Sequence, residues 1–447
     1  MNKQKITLSL AAAVALGLTS NAMAAGFQLA EYSATGLGRA FAGEAAMADN
    51  ASTQFRNPAM LTYLEGTQIS TGAIYVDPNI DVNGNLQLNG NTVDSTSANN
   101  IANSAVVPNF YFSRPLNDKF TLGLAVGTHF GMRTDLGTNF TGSMFGNQAE
   151  VHTVEINPNL AYKINDQFSV GAGVRYVIGK GHFGAALPSS SPGLLAGVAG
   201  QDLKYMEGDD SSWGWQAGAA WQINPANRIG ISYHSAVKLD LTGHANGLAF
   251  AVAKDGLSGL RKPGASTKRY AGSLPLELPA SAEIASFHQI TDALAIHASV
   301  NWTDWSTFKK LEANIPGMPA DVEHIKDENW KDNYRFAIGT TYQLNSKVTL
   351  RSGIAYDTAA VNDANRTQTI PETDRTWYSV GAGYKWSENL TFDAGLTYIH
   401  AKKAHLHENE QALDNLIGNI MTGASLSFDG NTSGDVWLAG VQASYKF

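Results

Sequence analysis

The chain has 447 residues, a formal charge of -8 and no cysteine. Only 16% of its residues are charged, against about a quarter in ordinary soluble domains, which points to a surface facing something less polar than water. The absence of a strongly basic patch argues against a nucleic-acid partner, and the absence of cysteine excludes disulfides and thiolate metal sites.

Residues 1–24 carry Lys3 and Lys5, an apolar middle and the small-x-small ending Ala22-Met23-Ala24, the pattern of a cleavable secretory signal. No later segment reaches the ~18 apolar residues of a spanning helix, which leaves a periplasmic, secreted or outer-membrane β protein. Residues 25–66 do not alternate like a strand. They hold the small-residue run Ser33-Ala34-Thr35-Gly36-Leu37-Gly38 and the turn-forming Asn57-Pro58-Ala59. This predicts a wad of short helices, either a plug or an arm folded on a soluble domain.

From Thr67 onward a two-residue alternation recurs. Leu390, Phe392, Ala394, Leu396 and Tyr398 form one apolar face, and Thr391, Asp393, Gly395 and Thr397 form a small or polar one. Aromatics end many such runs, as at Trp302, Tyr342, Trp386 and Tyr398, which suits a lipid-facing band with interfacial girdles better than a sandwich. Six tight connections, beginning at Leu116-Asn117-Asp118 and ending at Ser387-Glu388-Asn389, alternate with seven longer ones. The expected fold is therefore all-β: a 14-stranded antiparallel transmembrane β-barrel over 67–447, plugged by a small α-helical N-terminal segment. The strands are expected near 67–80, 103–115, 118–131, 150–164, 167–183, 203–223, 227–242, 269–290, 292–306, 331–344, 346–360, 374–387, 390–404 and 433–447. Pro108 and Pro158 fall inside strands and are expected at bulges or bends. The last strand carries Trp437, Ala439, Val441, Ala443, Tyr445 and Phe447 on one face, a register that resembles the C-terminal signature read by the outer-membrane barrel assembly machinery.

Two longer loops are apolar. Residues 183–201 contain Leu187, Leu194, Leu195 and Val198, and residues 243–260 contain Leu248, Phe250, Val252, Leu257 and Leu260. They suit a greasy outer groove for a hydrophobic solute, or a core in which the loops bury one another; both readings stay open.

The opening Ala25-Gly26-Phe27-Gln28-Leu29, then Gly36-Leu37-Gly38-Arg39-Ala40, Gly43-Glu44 and Arg56-Asn57-Pro58-Ala59, resemble the hatch of the FadL family of outer-membrane long-chain fatty acid transporters. Tyr75-Val76-Asp77-Pro78, Trp305-Ser306-Thr307-Phe308, Lys331-Asp332-Asn333-Tyr334-Arg335 and Ile370-Pro371-Glu372-Thr373-Asp374-Arg375 agree, so the resemblance spans nearly the whole chain after the leader.

It implies a monomeric barrel in the outer membrane of a Gram-negative bacterium, among outer-membrane lipid and lipopolysaccharide. Uptake of long-chain fatty acids would be passive, without catalysis or cofactor. Phe27 would lie at an inner pocket, Asn57, Pro58 and Ala59 would hold the hatch, and a kink at His129-Phe130-Gly131 would open the wall sideways, with Gly131 supplying unusual torsions. Lys326 aligns with a cation for the substrate carboxylate. The family's second cation aligns with Ala185, with Lys180 or His182 as stand-ins, while Lys309 and Lys310 are further outward cations. The same family includes channels for neutral monoaromatic hydrocarbons, which would need no cation. Gly36-Leu37-Gly38 lacks the context of a dinucleotide motif. His405-Leu406-His407 with Glu408 and Glu410 reads as a solvated loop or, alternatively, a metal site. No serine–histidine pairing supports a lipase, and Leu-rich loops disfavour a purely adhesive barrel.

Overall fold

The computed structural model describes residues 26–319, 322–409 and 424–447. The leader 1–24, Ala25 and Glu410 lie outside the described residues. Fourteen antiparallel strands close one ring. The first two are Gln68–Leu88 and Ala105–Pro115, and the third comes in two pieces, Phe120–Gly127 and Gly131–Asp135. Gln148–Lys163, Phe168–Ala186 and Asp202–Asn224 follow; the seventh (Asn227–His234, Val237–Asn246) and eighth (Tyr270–Leu278, Ser281–Gln289) are also in two pieces. Leu294–Thr303, Asn333–Gln343, Val348–Asp357, Arg375–Lys385, Leu390–Asn409 and Leu426–Lys446 complete the wall. Gln68 pairs with Lys446 and Leu88 with Leu426, so the first strand closes on the last and the strands form one ring, as hydrocarbon requires.

The alternation sorts the side chains as the sequence predicts. Ile338, Val380, Leu396 and Val441 point outward and are exposed, whereas Asp393, Thr397 and Gln442 face the interior and are buried. Exposed Tyr334 and Tyr342 bound the apolar face of the tenth strand; the eight steps between them, at about 3.3 Å each, span roughly 26 Å along the strand, enough for a tilted crossing. Above that band the polarity inverts. Ile80 and Val82, Val237, Leu239 and Leu241, and Leu426 and Phe428 are buried inside, while Asp81, Asp240 and Asp429 face out. Inversion hides a strand from a search for outward apolar faces. The first strand accordingly runs on past 80 to Leu88, paired there with an extra arm, Asn91–Ala98, and the last begins at Leu426 rather than 433.

The two prolines are not at register shifts. Pro108 pairs with Ala73 in an unbroken register. The ladder to the fifth strand skips Asn157 and Pro158 and resumes unshifted, with Pro158 exposed on the outer face. Each ring occupies a side where the missing N–H costs at most one bond, so no bulge is needed.

Residues 26–66 occupy the interior of the ring. Short helices at Ala34–Leu37, Glu44–Ala46, Ala51–Phe55 and Pro58–Tyr63 are capped by Ser33, Asn50 and Asn57 side chains, except for the second, which Gly43 enters at φ 79°. They pack on the strands around most of the barrel through polar bonds. Gln216 Nε2 donates to Gln54 O at 3.0 Å, and Gln54 Oε1 accepts Asn159 Nδ2 at 3.1 Å. Arg39 Nη2 lies 2.6 Å from both Glu44 and Asp49. Several interior wall groups shielded from water, Gln216 and Asn159 among them, find partners on this segment, which helps to seat it.

Candidate functional site

The third strand stops after Gly127 and restarts at Gly131. In between, the backbone turns its bonds inward: Leu29 N donates to His129 O and Gly131 N to Phe27 O, both at 2.8 Å. Thr153 secures the other side, its N donating to Phe130 O at 3.0 Å and its Oγ1 accepting Phe130 N at 3.1 Å. The ladder between the second and third strands ends at the pair Phe110–Val126, and the next bridge is Ala102–Thr134. Residues 103–109 and 127–133 therefore face each other without ladder pairs. The interruption covers residues 128–130, beside the kink that the family resemblance implies at His129-Phe130-Gly131. Gly131 does not take a left-handed φ; the strand breaks because the N-terminal segment captures its hydrogen bonds, not because a glycine bends it. His129 is buried, stacked at 5.3 Å on Phe55 and 5.1 Å on Phe130, with Nε2 3.2 Å from Gln28 Nε2.

Phe27 is the centre of an aromatic cage. Its ring centroid lies 4.6 Å from Trp305, 6.0 Å from Phe308, 6.1 Å from Phe130 and 6.3 Å from Trp330, mostly in edge-to-face arrangements that favour such clusters. The cage is the inner end of one contiguous apolar cluster that continues through the inverted upper strand faces, Val237, Leu239 and Leu241 among them, to Leu187, Leu248 and Leu260 in the outer loops.

The two apolar loops form both a core and a groove. Leu248 and Phe250 are fully buried and belong to the loop core, so they do not line the groove expected of them. Leu195 is half-buried against the main cluster; Leu194 falls in the helix Gly193–Val198, and its side chain lies outside the described residues. The open groove, about 830 Å³, runs between these loops and is lined by Val198, Leu257 and Leu260 together with Arg261 and Lys262. The cationic rim was not foreseen, since spacing along a loop does not reveal what faces a cleft.

The cations sort differently from the expectation. Lys180 and His182 sit on the outward face of the fifth strand, because Arg175, Val177 and Gly179 face inward and parity leaves the even positions outside. Their side chains do not enter the bore. Lys180 is exposed, and His182 lies 3.6 Å from Glu150. A buried lysine that the sequence did not flag stands nearby: Lys204, the ladder partner of Ala185, with Nζ 3.0 Å from Glu323. Only the register brings it there. Lys326 lies in Val322–Asp327 beside the cage and is ion-paired with the buried Glu408, whose other oxygen accepts Gln368 N. Two residues on, Glu328 accepts Trp330 Nε1 at 2.8 Å, and burial pushes its carboxyl up to about 7.

Asn57 is a clamp. Its Nδ2 donates to Ala45 O at 2.6 Å and Ala219 O at 3.1 Å, while its Oδ1 caps Ala59 N at 3.0 Å. The sixth strand makes room with Gly218, where a Cβ would sit 2.0 Å from Asn57 Oδ1, and the fifth with Gly171, where one would sit 2.5 Å from Pro58 and Ala59 backbone atoms. His405 and His407 lie on the outward face of the thirteenth strand rather than in a loop, both near Asp429 Oδ2, at 3.2 and 3.3 Å. Among the described residues no group of three His, Asp or Glu side chains is set to hold a metal.

A closed ring of strands with an apolar outer bore, a polar inner bore filled by its own N-terminal segment and an interrupted wall defines an outer-membrane transport protein for hydrophobic solutes. The sequence profile described as "Outer membrane protein transport protein (OMPP1/FadL/TodX)" matches residues 15–447, and the chain belongs to that family, whose members are outer-membrane transporters and channels rather than enzymes. It is 35% identical to outer membrane protein P1 of Haemophilus influenzae over 477 residues, covering 99% of this chain and 100% of that one. It is also 35% identical to the long-chain fatty acid transport protein of Escherichia coli O6:H1, covering 98% of each. The solved structure of a Pseudomonas aeruginosa FadL homologue superposes with a TM-score of 0.81 at 26% identity, covering 95% of this chain and all of that one. The Pseudomonas putida toluene transporter TodX shares the fold, with a TM-score of 0.66 at 17% identity over 95% and 100% of the two chains. The protein resides in the outer membrane of a Gram-negative bacterium.

Proposed function

We propose that this protein takes up long-chain fatty acids by passive diffusion through the barrel wall. The observation that carries the reading is the unbroken apolar cluster from Leu187, Leu248 and Leu260 to the Phe27 cage, which ends against the unpaired stretch of the third strand. An acyl chain lands in the groove, with its carboxylate toward Arg261 and Lys262, and its methylenes enter the bore at about 0.8 kcal/mol each. Phe27 gives way, and the chain leaves sideways between residues 103–109 and 127–133. Residues 25–66 act as a hatch, held by Asn57-Pro58-Ala59, so that bulk solutes do not follow. Relatives named long-chain fatty acid transport proteins support the substrate class.

Lys326 receives the carboxylate by exchanging Glu408 for it. Binding of radiolabelled oleate to the purified protein tests the reading: saturable binding is expected, weakened about tenfold in Lys326→Ala, and absence of saturable binding to the unaltered protein refutes the assignment. A second reading is uptake of neutral monoaromatic hydrocarbons. It draws on the five-ring cage and on the fact that Glu408 already neutralises Lys326. Toluene uptake that survives Lys326→Ala, with no response to oleate, favours it.

A further inference from the structure

Beneath the cage, on the inner side of Phe27, lies a small cavity of about 30 Å³ lined by Gln28, Leu29, Arg56, Asn301, Arg335 and Asp357, among others. A water needs roughly 10–15 Å³ of such space, so the cavity accepts the two oxygens of a carboxylate. Two buried guanidinium groups open into it; Arg335 lies over the Trp377 ring at 4.6 Å and Arg56 over the Tyr32 ring at 5.4 Å, but each keeps at least one N–H group without an acceptor. Arg335 is 5% exposed; its Nη2 donates to Ala40 O of the N-terminal segment at 2.8 Å, whereas its Nε and Nη1 have no hydrogen-bond partner. Arg56, itself on that segment and 8% exposed, has an unpartnered Nε, 3.9 Å from Glu283 Oε2. Asp357 shares the cavity and is the main electrostatic partner of Arg335, with buried Glu31 contributing less, but Asp357 Oδ1 accepts Asn333 Nδ2 and no carboxylate oxygen is within ion-pair distance of Arg335 among the described contacts. Buried guanidinium N–H groups without acceptors are costly, and a planar fork matches a carboxylate better than it matches isolated carbonyls.

We propose that Arg335 and Arg56 form a second, inner carboxylate site, where the head group of the fatty acid docks below Phe27 while its tail still occupies the cage. The inference rests on the fatty acid reading above and adds a step to it. Thr303 donates to Gln28 at 2.8 Å on the cavity rim, two residues before the cage residue Trp305, so the cavity and the cage share one wall. Because Arg335 also holds Ala40 O and Arg56 belongs to the hatch, a carboxylate bound between them competes with contacts that seat the segment.

The test is uptake into proteoliposomes of oleate and of oleyl alcohol, which has the same chain without a carboxylate, by the full mature barrel and by Arg335→Gln, Arg56→Gln and Arg335→Lys. Folding is checked by the heat-dependent gel migration of barrels. The expected result is at least a tenfold loss of oleate uptake in both Gln variants, unchanged oleyl alcohol uptake, retained oleate binding at the outer groove, and partial recovery in Arg335→Lys. Equal loss of both substrates by folded variants would assign the arginines to hatch structure and overturn the site. Undiminished oleate uptake in the Gln variants would overturn it while leaving the fatty acid reading intact. An unaltered protein that carries oleyl alcohol but not oleate would overturn both.

Discussion

At the scale of single residues, the interior holds charges that water does not reach, and their partners decide what each one does. Glu372, in the connection before the twelfth strand, is 1% exposed. Its Oε2 accepts Ala360 N at 2.8 Å and Arg375 Nη2 lies 3.9 Å from Oε1, yet burial outweighs these and pushes the carboxyl up to about 7. An acid whose folded pKa lies above its unfolded value holds its proton more tightly when folded. The stability it contributes is complete below the ordinary carboxylate range and is lost as pH rises through about 7. The melting temperature of the unaltered barrel should therefore drop more between pH 5 and pH 8 than that of Glu372→Gln, measured by heat-dependent gel migration; equal drops would reject this account. Lys180 and His182 show the limit of residue-level reading. Their chemistry suits a carboxylate, but strand parity turns both to the outside.

At the scale of elements, strand and hatch are fitted by subtraction. Glycines line the inner wall where the segment touches it, and at Gly218 even a methyl group would meet the Asn57 side chain. Gly218→Val should displace Asn57, release its bonds to Ala45 and Ala219, and loosen the segment without unpicking the wall. Planar-bilayer recordings should show ion conductance in the variant well above that of the unaltered protein; matching traces would mean that Asn57 does not hold the seal. The third strand makes the complementary point. Part of what the broken strand loses from its ladder is remade elsewhere, with His129 O and Gly131 N bonded to Leu29 and Phe27. That exchange was invisible in the strand's own sequence, where a glycine was the only available signal.

For the molecule as a whole, lipid and water impose opposite patterns at different heights. The outward face must be apolar across the membrane, and above it the inward face becomes apolar to form the bore. Ile338 lies midway between Tyr334 and Tyr342 and is 58% exposed, so Ile338→Arg places a charge at mid-membrane depth and should cost about 2–4 kcal/mol of folding free energy in bilayer unfolding titrations. The same change in the upper outward face, as at Asp240, should cost little. A uniform cost at both heights would contradict the assigned membrane position.

The linear chain was sufficient for the barrel, its strand number and a non-strand segment ahead of it, because period-two alternation, turn residues and a non-alternating N-terminus are local patterns that survive without knowledge of neighbours, whereas the kink in the third strand came only from the family resemblance. For Phe27 and Asn57 motif order supplied a family expectation, and the structure supplies their contacts: Phe27 among Trp305, Phe308, Phe130 and Trp330, and Asn57 against Ala45 and Ala219. What folding alone decided was which charges meet: Lys326 with Glu408, Lys204 with Glu323, and Arg335 with the carbonyl of Ala40. These partners lie far apart along the chain, and the register that joins them is set by closure of the ring rather than by any one strand.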